Sequence, residues 1–150
     1  MKIAIGCDHR GFHLKEKIKS FLLKHNHKVK DVGCWNEESV DYPDYAQYVA
    51  RSIYQKECER GILICGSGIG MSIVANKFPK IRAALCWNTQ LAKLSRQHTD
   101  ANILVIGEYV DEQIAYQIVD VWLNTEFEGG RHQRRLDKIK AIEDELFKKG

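Results

Sequence analysis

The chain has 150 residues, enough for one ordinary domain with a real core, and its 44% apolar and 29% charged side chains exclude a disordered or fibrous polypeptide. The formal net charge of +3 is too mild to mark a nucleic-acid binder. The opening MKIAIGCDH turns polar after a few apolar residues, and no run has the length of a membrane span, so a cytoplasmic protein is expected, with neither a nucleic acid nor a membrane as partner.

Short apolar runs alternate with amphipathic stretches, the pattern of repeated βα units and a parallel sheet. Lys2 to Gly6 (KIAIG) reads as the first strand. Leu14, Ile18, Phe21 and Leu22 then recur at helical spacing, in a helix ending near His25 and Asn26. Lys28 to Gly33 alternates like a strand whose charges suggest a sheet edge. The connection from Cys34 to Pro43, about ten residues, is longer than usual, and long connections are often functional. Ala46, Val49, Ala50 and Ile53 define a second helix. Gly61 to Cys65 (GILIC) is a short buried strand, and Gly66 to Gly70 turns into a third helix reaching about Lys77. Arg82 to Cys86 is the fourth strand, Leu91 and Leu94 lie on the fourth helix, and Asn102 to Gly107 (NILVIG) is the fifth strand. Ile114, Ala115, Ile118, Val119 and Trp122 face inward from a fifth helix. After Phe127-Glu128-Gly129-Gly130 a last helix carries Leu136, Ile139, Ile142 and Leu146. No linker, repeat or low-complexity segment interrupts residues 1–150, so one domain is expected.

These elements predict an α/β fold, a doubly wound five-stranded parallel sheet with a C-terminal helix. Right-handed crossovers favour the strand order 2-1-3-4-5. Ligands of such sheets bind at the switch point between strands one and three. The loops there begin with Asp8-His9 and with Cys65-Gly66-Ser67.

The five cysteines, Cys7, Cys34, Cys58, Cys65 and Cys86, are odd in number and show neither a CxxC pair nor a zinc spacing. Cys58 and Cys86 read as small core hydrophobes. Cys65 opens Cys65-Gly66-Ser67-Gly68-Ile69-Gly70, where strand, turn and helix start meet. Its glycines admit a ligand close to the main chain, and free N–H groups at a helix start favour an anion. Met71 and Ile73 stand where a dinucleotide fingerprint needs glycine, and no Gly-Lys-Ser/Thr closes a P-loop. A helix start also lowers a thiol pKa, which would let Cys65 take a proton from carbon while turn amides hold the developing enolate oxygen. The rival reading is a packed strand-end cysteine.

These stretches resemble the ribose-5-phosphate isomerase B family, which also includes galactose-6-phosphate and allose-6-phosphate isomerases. The match runs through Gly6-Cys7-Asp8-His9 with Gly11-Phe12, and through Asp41-Tyr42-Pro43-Asp44-Tyr45-Ala46. It continues through Gly61 to Lys77, Leu94 to His98 and Glu128 to His132, nearly the whole chain. The resemblance implies an isomerase of the pentose phosphate pathway. It would interconvert ribose 5-phosphate and ribulose 5-phosphate through a cis-enediolate, without metal or other cofactor. It makes Cys65 the base, with Ser67 bonding the reacting oxygens and the amides of Gly66, Gly68, Ile69 and Gly70 forming the anion hole. It gives ring opening to His98, the sugar hydroxyls to Asp8, Asp41 and Tyr42, and the phosphate to His9, Arg131 and Arg135.

Each of these has a plainer rival. Arg131 and Arg135 are four apart, as on any solvated helix face; His98 suits a C-terminal cap; Asp41 suits a helix start; Tyr42 alone reads as a surface aromatic. Thr99 stands where the family often has Asn, so one sugar contact is expected to differ. Tyr109 replaces an arginine of many members, with Arg134 or Arg10 as compensating cations. Cys65 and Met71 exclude the branches with a glutamate base. A six-carbon phosphate substrate and a non-catalytic sugar-phosphate binder are the competing functions. A helix leaving the sheet's carboxyl edge at Asn88 carries His98 roughly 15 Å from its own Cys65, at about 1.5 Å per residue. A second subunit would have to bring such a histidine to the thiol. The family shares its sites between subunits, so a homodimer, or a pair of dimers, is expected.

Overall fold

The computed structural model describes residues 1–147. Three strands carry the centre of the sheet because they are apolar on both faces: β1 (Lys2–Cys7), β3 (Arg60–Cys65) and β5 (Ile103–Gly107), in which only the first residues of β1 and β3 escape burial. At the edges lie β2 (Lys28–Gly33), with Lys28, Lys30 and Asp31, and the three-residue β4 (Ala83–Leu85). All pairings are parallel, in the order β2-β1-β3-β5-β4. The doubly wound α/β sheet and its C-terminal helix are as expected, but the last two strands exchange places relative to the 2-1-3-4-5 expectation. The cause is burial. The run ILVIG of β5 is fully buried and needs strands on both sides, whereas AAL of β4 is half-buried and short enough to close an edge.

The helices are α1 (Phe12–Lys24), α2 (Tyr42–Tyr54), α3 (Ile69–Ala75), α4 (Thr89–Thr99), α5 (Glu112–Asn124) and α6 (Arg131–Leu146). Returning from β4 to β5 reverses the direction of travel, so right-handed crossovers require α4 on the face opposite α3. The packing agrees: α2 lies against α3, and α4 against α5, which also touches α1. Strand alternation sorts the core between these layers. Ile3, Ile5, Ile62, Ile64, Leu104 and Ile106 join the α1/α5 side, while Ala4, Leu63, Cys65, Ile103 and Val105 join the α2/α3 side. Cys65 is thereby committed to the face from which α3 starts. Cys58 and Cys86 are buried as expected, and all five thiols are free. No described helix is long and apolar enough to cross a membrane.

One buried lysine ties the layers together. Lys15 on α1 is fully buried and donates to both carboxylate oxygens of Asp31 at 2.9 Å and to the carbonyl of Cys34 at 2.8 Å. Lys19 adds a contact to Asp31 at 3.1 Å. Burial by itself would raise the Asp31 carboxyl, but hydrogen bonds from Lys15, the Gly33 amide and Lys19 outweigh it and hold the group below its ordinary value. A depressed carboxyl stabilises the fold above its unfolded pKa of about 4, and that contribution disappears as pH falls through the lower folded value. Replacing Lys15 by alanine is expected to cost about 3 kcal/mol in urea denaturation at pH 7, the low end for a broken buried pair because Lys19 remains. The loss should shrink as Asp31 protonates in acid. An unchanged midpoint at pH 7 would show that the pair does not hold β2 to α1.

Candidate active site

At the carboxyl ends of β1 and β3 the main chains close on each other. The amide of Asp8 donates to the Ile64 carbonyl at 3.2 Å, and the register sets Cys65 opposite Gly107. A 3₁₀ turn (His9–Gly11) follows β1, and the Asp8 carboxylate caps it, accepting from the amides of Arg10 at 3.0 Å and Gly11 at 3.1 Å through one oxygen. Asp8 also lines a cleft at this edge of the sheet. That cleft, about 410 Å³, is lined by Asp8, Arg10, Tyr42, Cys65, Gly66, Ser67, Ile69, Gly70 and Ile73, an ordinary size for a small-molecule site.

Gly68 is the N-cap of α3 at φ +84°, and its amide donates to Cys65 Sγ at 3.1 Å. Ser67 Oγ accepts from the Ile69 amide at 3.2 Å, which holds the hydroxyl at the mouth of the turn. The Tyr42 ring lies across Gly70 so closely that a Cβ there would stand 2.4 Å from its Cε1. Thiol, hydroxyl, carboxylate and aromatic wall therefore converge in one chain.

The thiol's protonation runs against the expectation of a lowered pKa. Burial pushes Cys65 above its ordinary value. Amide donors from Gly68, Met71 and Ser67 pull down, and the Asp8 carboxylate adds to the rise. The seven-residue α3 has too few aligned peptides to outweigh desolvation of a side chain that is 95% buried. Burial thus favours the protonated form of this sulfur over the thiolate.

The remaining residues lie around or away from the cleft. His9 accepts the Val40 amide on Nδ1 at 3.2 Å, which leaves Nε2 as its N–H, and this fixes the ring against the 34–43 connection. Asp41 is the N-cap of α2, yet it is exposed and its carboxylate makes no capping bond. His98 and Thr99 lie in a different groove of about 300 Å³, with Leu91, Leu94 and Ser95. Thr99 donates its hydroxyl to the Ser95 carbonyl at 2.6 Å. The His98 ring stacks on His132, centroids 4.3 Å apart. Burial first, then His98 and Arg131, hold His132 below the usual imidazole range. Arg131 and Arg135 are exposed in the first turns of α6, and neither is in a salt bridge among the described residues. Arg10 was foreseen only as a substitute cation. It forms a wall of the cleft, its Nη1 2.6 Å from where a Gly66 Cβ would be, and it pairs with Glu108 at 3.0 Å. The signal was its place directly after Asp8-His9. Tyr109 lays its ring on Gly107.

Fold and site together define a doubly wound α/β protein with a buried thiol and an amide-lined turn at the sheet's switch point. A family model described as ribose/galactose isomerase matches residues 3–139, and the chain belongs to that family. It is 50% identical over 143 residues to ribose-5-phosphate isomerase B of Escherichia coli, covering 95% of this chain and 96% of that one. The structure of ribose-5-phosphate isomerase B of Clostridium thermocellum superposes with a TM-score of 0.96 at 52% identity, over 97% of this chain and 99% of that chain. That of Mycoplasma genitalium ribose-5-phosphate isomerase B with bound ribulose 5-phosphate gives 0.92 at 41% identity, over 96% and 97% of the two chains.

The turn's geometry separates two glycines. At Gly68 a Cβ would meet Leu85 Cδ1 at 2.5 Å and the backbone is left-handed, whereas Gly129, at φ +72°, has nothing within 4 Å. Gly129→Ala is expected to lose about 1 kcal/mol of stability from backbone strain alone. Gly68→Ala should lose at least about 2 kcal/mol, because overpacking adds to strain. Equal losses in chemical denaturation would mean that Leu85 does not confine the turn.

Proposed function

We propose that the chain catalyses the interconversion of ribose 5-phosphate and ribulose 5-phosphate, with Cys65 as the proton-shuttling base. The observation that carries this reading is the Cys65 thiol, buried at the cleft floor and bonded to the Gly68 amide at 3.1 Å, beside a hydroxyl and further main-chain donors. Supporting it is about 50% identity over the full length with relatives of that activity. In the cleft, the thiolate removes the proton from C2 of the open-chain aldose. The electron pair moves into the C1–C2 bond as the carbonyl becomes an enediolate, the O2 hydroxyl proton passes to O1, and the resulting thiol returns the carbon-bound proton to C1 as the C2–O2 bond becomes the carbonyl of the ketose. Ser67 Oγ and the amides of Gly66, Gly68, Ile69 and Gly70 hold the oxygen that gains charge. Asp8, Asp41 and Tyr42 position the sugar hydroxyls; His9, Arg131 and Arg135 take the phosphate, for which the arginine fork is suited.

His98 opens the furanose ring by proton transfer at the ring oxygen. It lies in a groove apart from the thiol, so it acts across a dimer interface, in the cleft of a second copy. The exposed apolar side chains of Trp87, Ile69 and Ile73 near the two grooves, and of Ile139, Ile142 and Leu146 on α6, support such an assembly. Five free cysteines fit a reducing cytoplasm.

Cys65→Ala is expected to lower isomerisation of ribose 5-phosphate by about 10²–10⁴-fold, the usual worth of a positioned base. Mixing Cys65→Ala with His98→Ala subunits should restore part of the activity, since each hybrid holds one intact composite site. No recovery after verified subunit exchange would place His98 outside the shared site. The raised thiol also sets a sign. Because the thiolate is the active form, kcat/KM should climb with pH and level off above the free-thiol value of about 8.5. A plateau reached below pH 7 would assign the base elsewhere.

A further inference from the structure

His98, Glu128 and His132 offer nitrogen and carboxylate atoms that all lie within 4.8 Å of one another. We infer that these three side chains form a site for one divalent transition-metal ion of the Zn²⁺ class, seated on the imidazole of His98. Two observations carry this independently. The first is the donor set: two imidazoles and one carboxylate suit a borderline cation far better than Mg²⁺ or Ca²⁺, which prefer oxygen cages. The second is His132 itself. The residue is 95% buried, and its Nε2 has no hydrogen-bond partner among the described residues. A buried polar atom without a partner is costly, and native structures seldom retain one without a use.

The frame holding the three residues is rigid where it needs to be. The Glu128 amide donates to the Gln97 carbonyl at 3.1 Å, which pins the loop next to His98, and the His132 amide donates to the Gly129 carbonyl at 3.0 Å. The side chains that must move are the exposed ones. His98 Nε2 and Glu128 Oε1 are 4.0 Å apart, with side chains 42% and 48% exposed. A tetrahedral ion with bonds of about 2.0–2.2 Å brings its donor atoms to about 3.4 Å separations. His98 and His132 stack at an interplanar angle of 12°, so their lone pairs run side by side. Ligation of one ion by both rings therefore requires His98 to swing out of the stack toward Glu128. The Arg131 and Arg135 guanidinium groups bear on His132 and oppose a cation, so binding should be tighter where an anion already occupies those arginines. Three protein ligands leave one position open to water or to a substrate oxygen. An ion held there takes His98 out of proton transfer. That inhibitory consequence rests on the ring-opening role proposed above; the site itself does not.

The test is calorimetric titration of the native assembly with Zn²⁺, and with Mg²⁺ as the contrasting cation. The expected result is one saturable Zn²⁺ per chain, at least tenfold weaker in Glu128→Gln and in His132→Asn, with no Mg²⁺ binding. Glu128 is at the surface, so Glu128→Gln remains informative if loss of His132 disturbs α6. Absence of saturable Zn²⁺ binding, or binding unchanged in Glu128→Gln, which would mean ligation by the cysteines, overturns the site. Isomerase activity separates the two claims. Half-inhibition at the calorimetric Kd, reversed by chelator, supports both. Saturation of the site with full activity retained leaves the metal site standing and overturns the role given to His98.

Discussion

The candidate site depends on how closely the turn after β1 approaches the end of β3. A Cβ at Gly11 would stand 2.5 Å from the Ile64 carbonyl oxygen, so no larger residue fits without moving the main chain. That contact, with the Asp8 amide bonded to the same carbonyl, sets a buried carboxylate beside a buried thiol. Two features of the cleft follow from it: the capped 3₁₀ turn and the upward pressure that Asp8 exerts on Cys65. Parallel sheets bring loops together at one edge in any such fold. Here the glycine converts proximity into contact.

The electrostatics of the cleft are a contest between local and distributed effects. Amides in the 66–71 turn favour the thiolate through short, directed bonds. Burial acts on the whole side chain and prevails. The balance is therefore adjustable by anything that changes solvation or charge above the sulfur, a bound sugar phosphate included. In general a thiolate is a stronger base the higher its pKa, so long as enough of it is ionised.

The sequence made the local features legible and left the distributed ones hidden. The run GILIC broken by Gly66-Ser67-Gly68 shows the strand, the turn and the residues that line the cleft, since each is decided within a few positions. The helix from Asn88 to His98 even exposes a distance, because a helix advances at a fixed rate. The order of β4 and β5 was not legible. It depends on which of two apolar runs is flanked on both sides, a property of the whole sheet. The direction of the Cys65 shift was missed for the same reason: burial is contributed by β5, α2 and α3 together. Lys15 reads in the sequence as one more solvated helical lysine, and only the fold places Asp31 and the Cys34 carbonyl at its tip.

A sulfur that burial biases toward its protonated form has a further consequence for the life of the protein in a cell. Peroxides and other electrophiles attack thiolates much faster than thiols. The desolvation that favours the protonated form of Cys65 therefore also slows its oxidation to sulfenic acid. Burial likewise pushes up the thiols of Cys7, Cys58 and Cys86, which share that protection. Such a chain can keep a chemically competent cysteine through oxidative bursts that would disable a permanently ionised one.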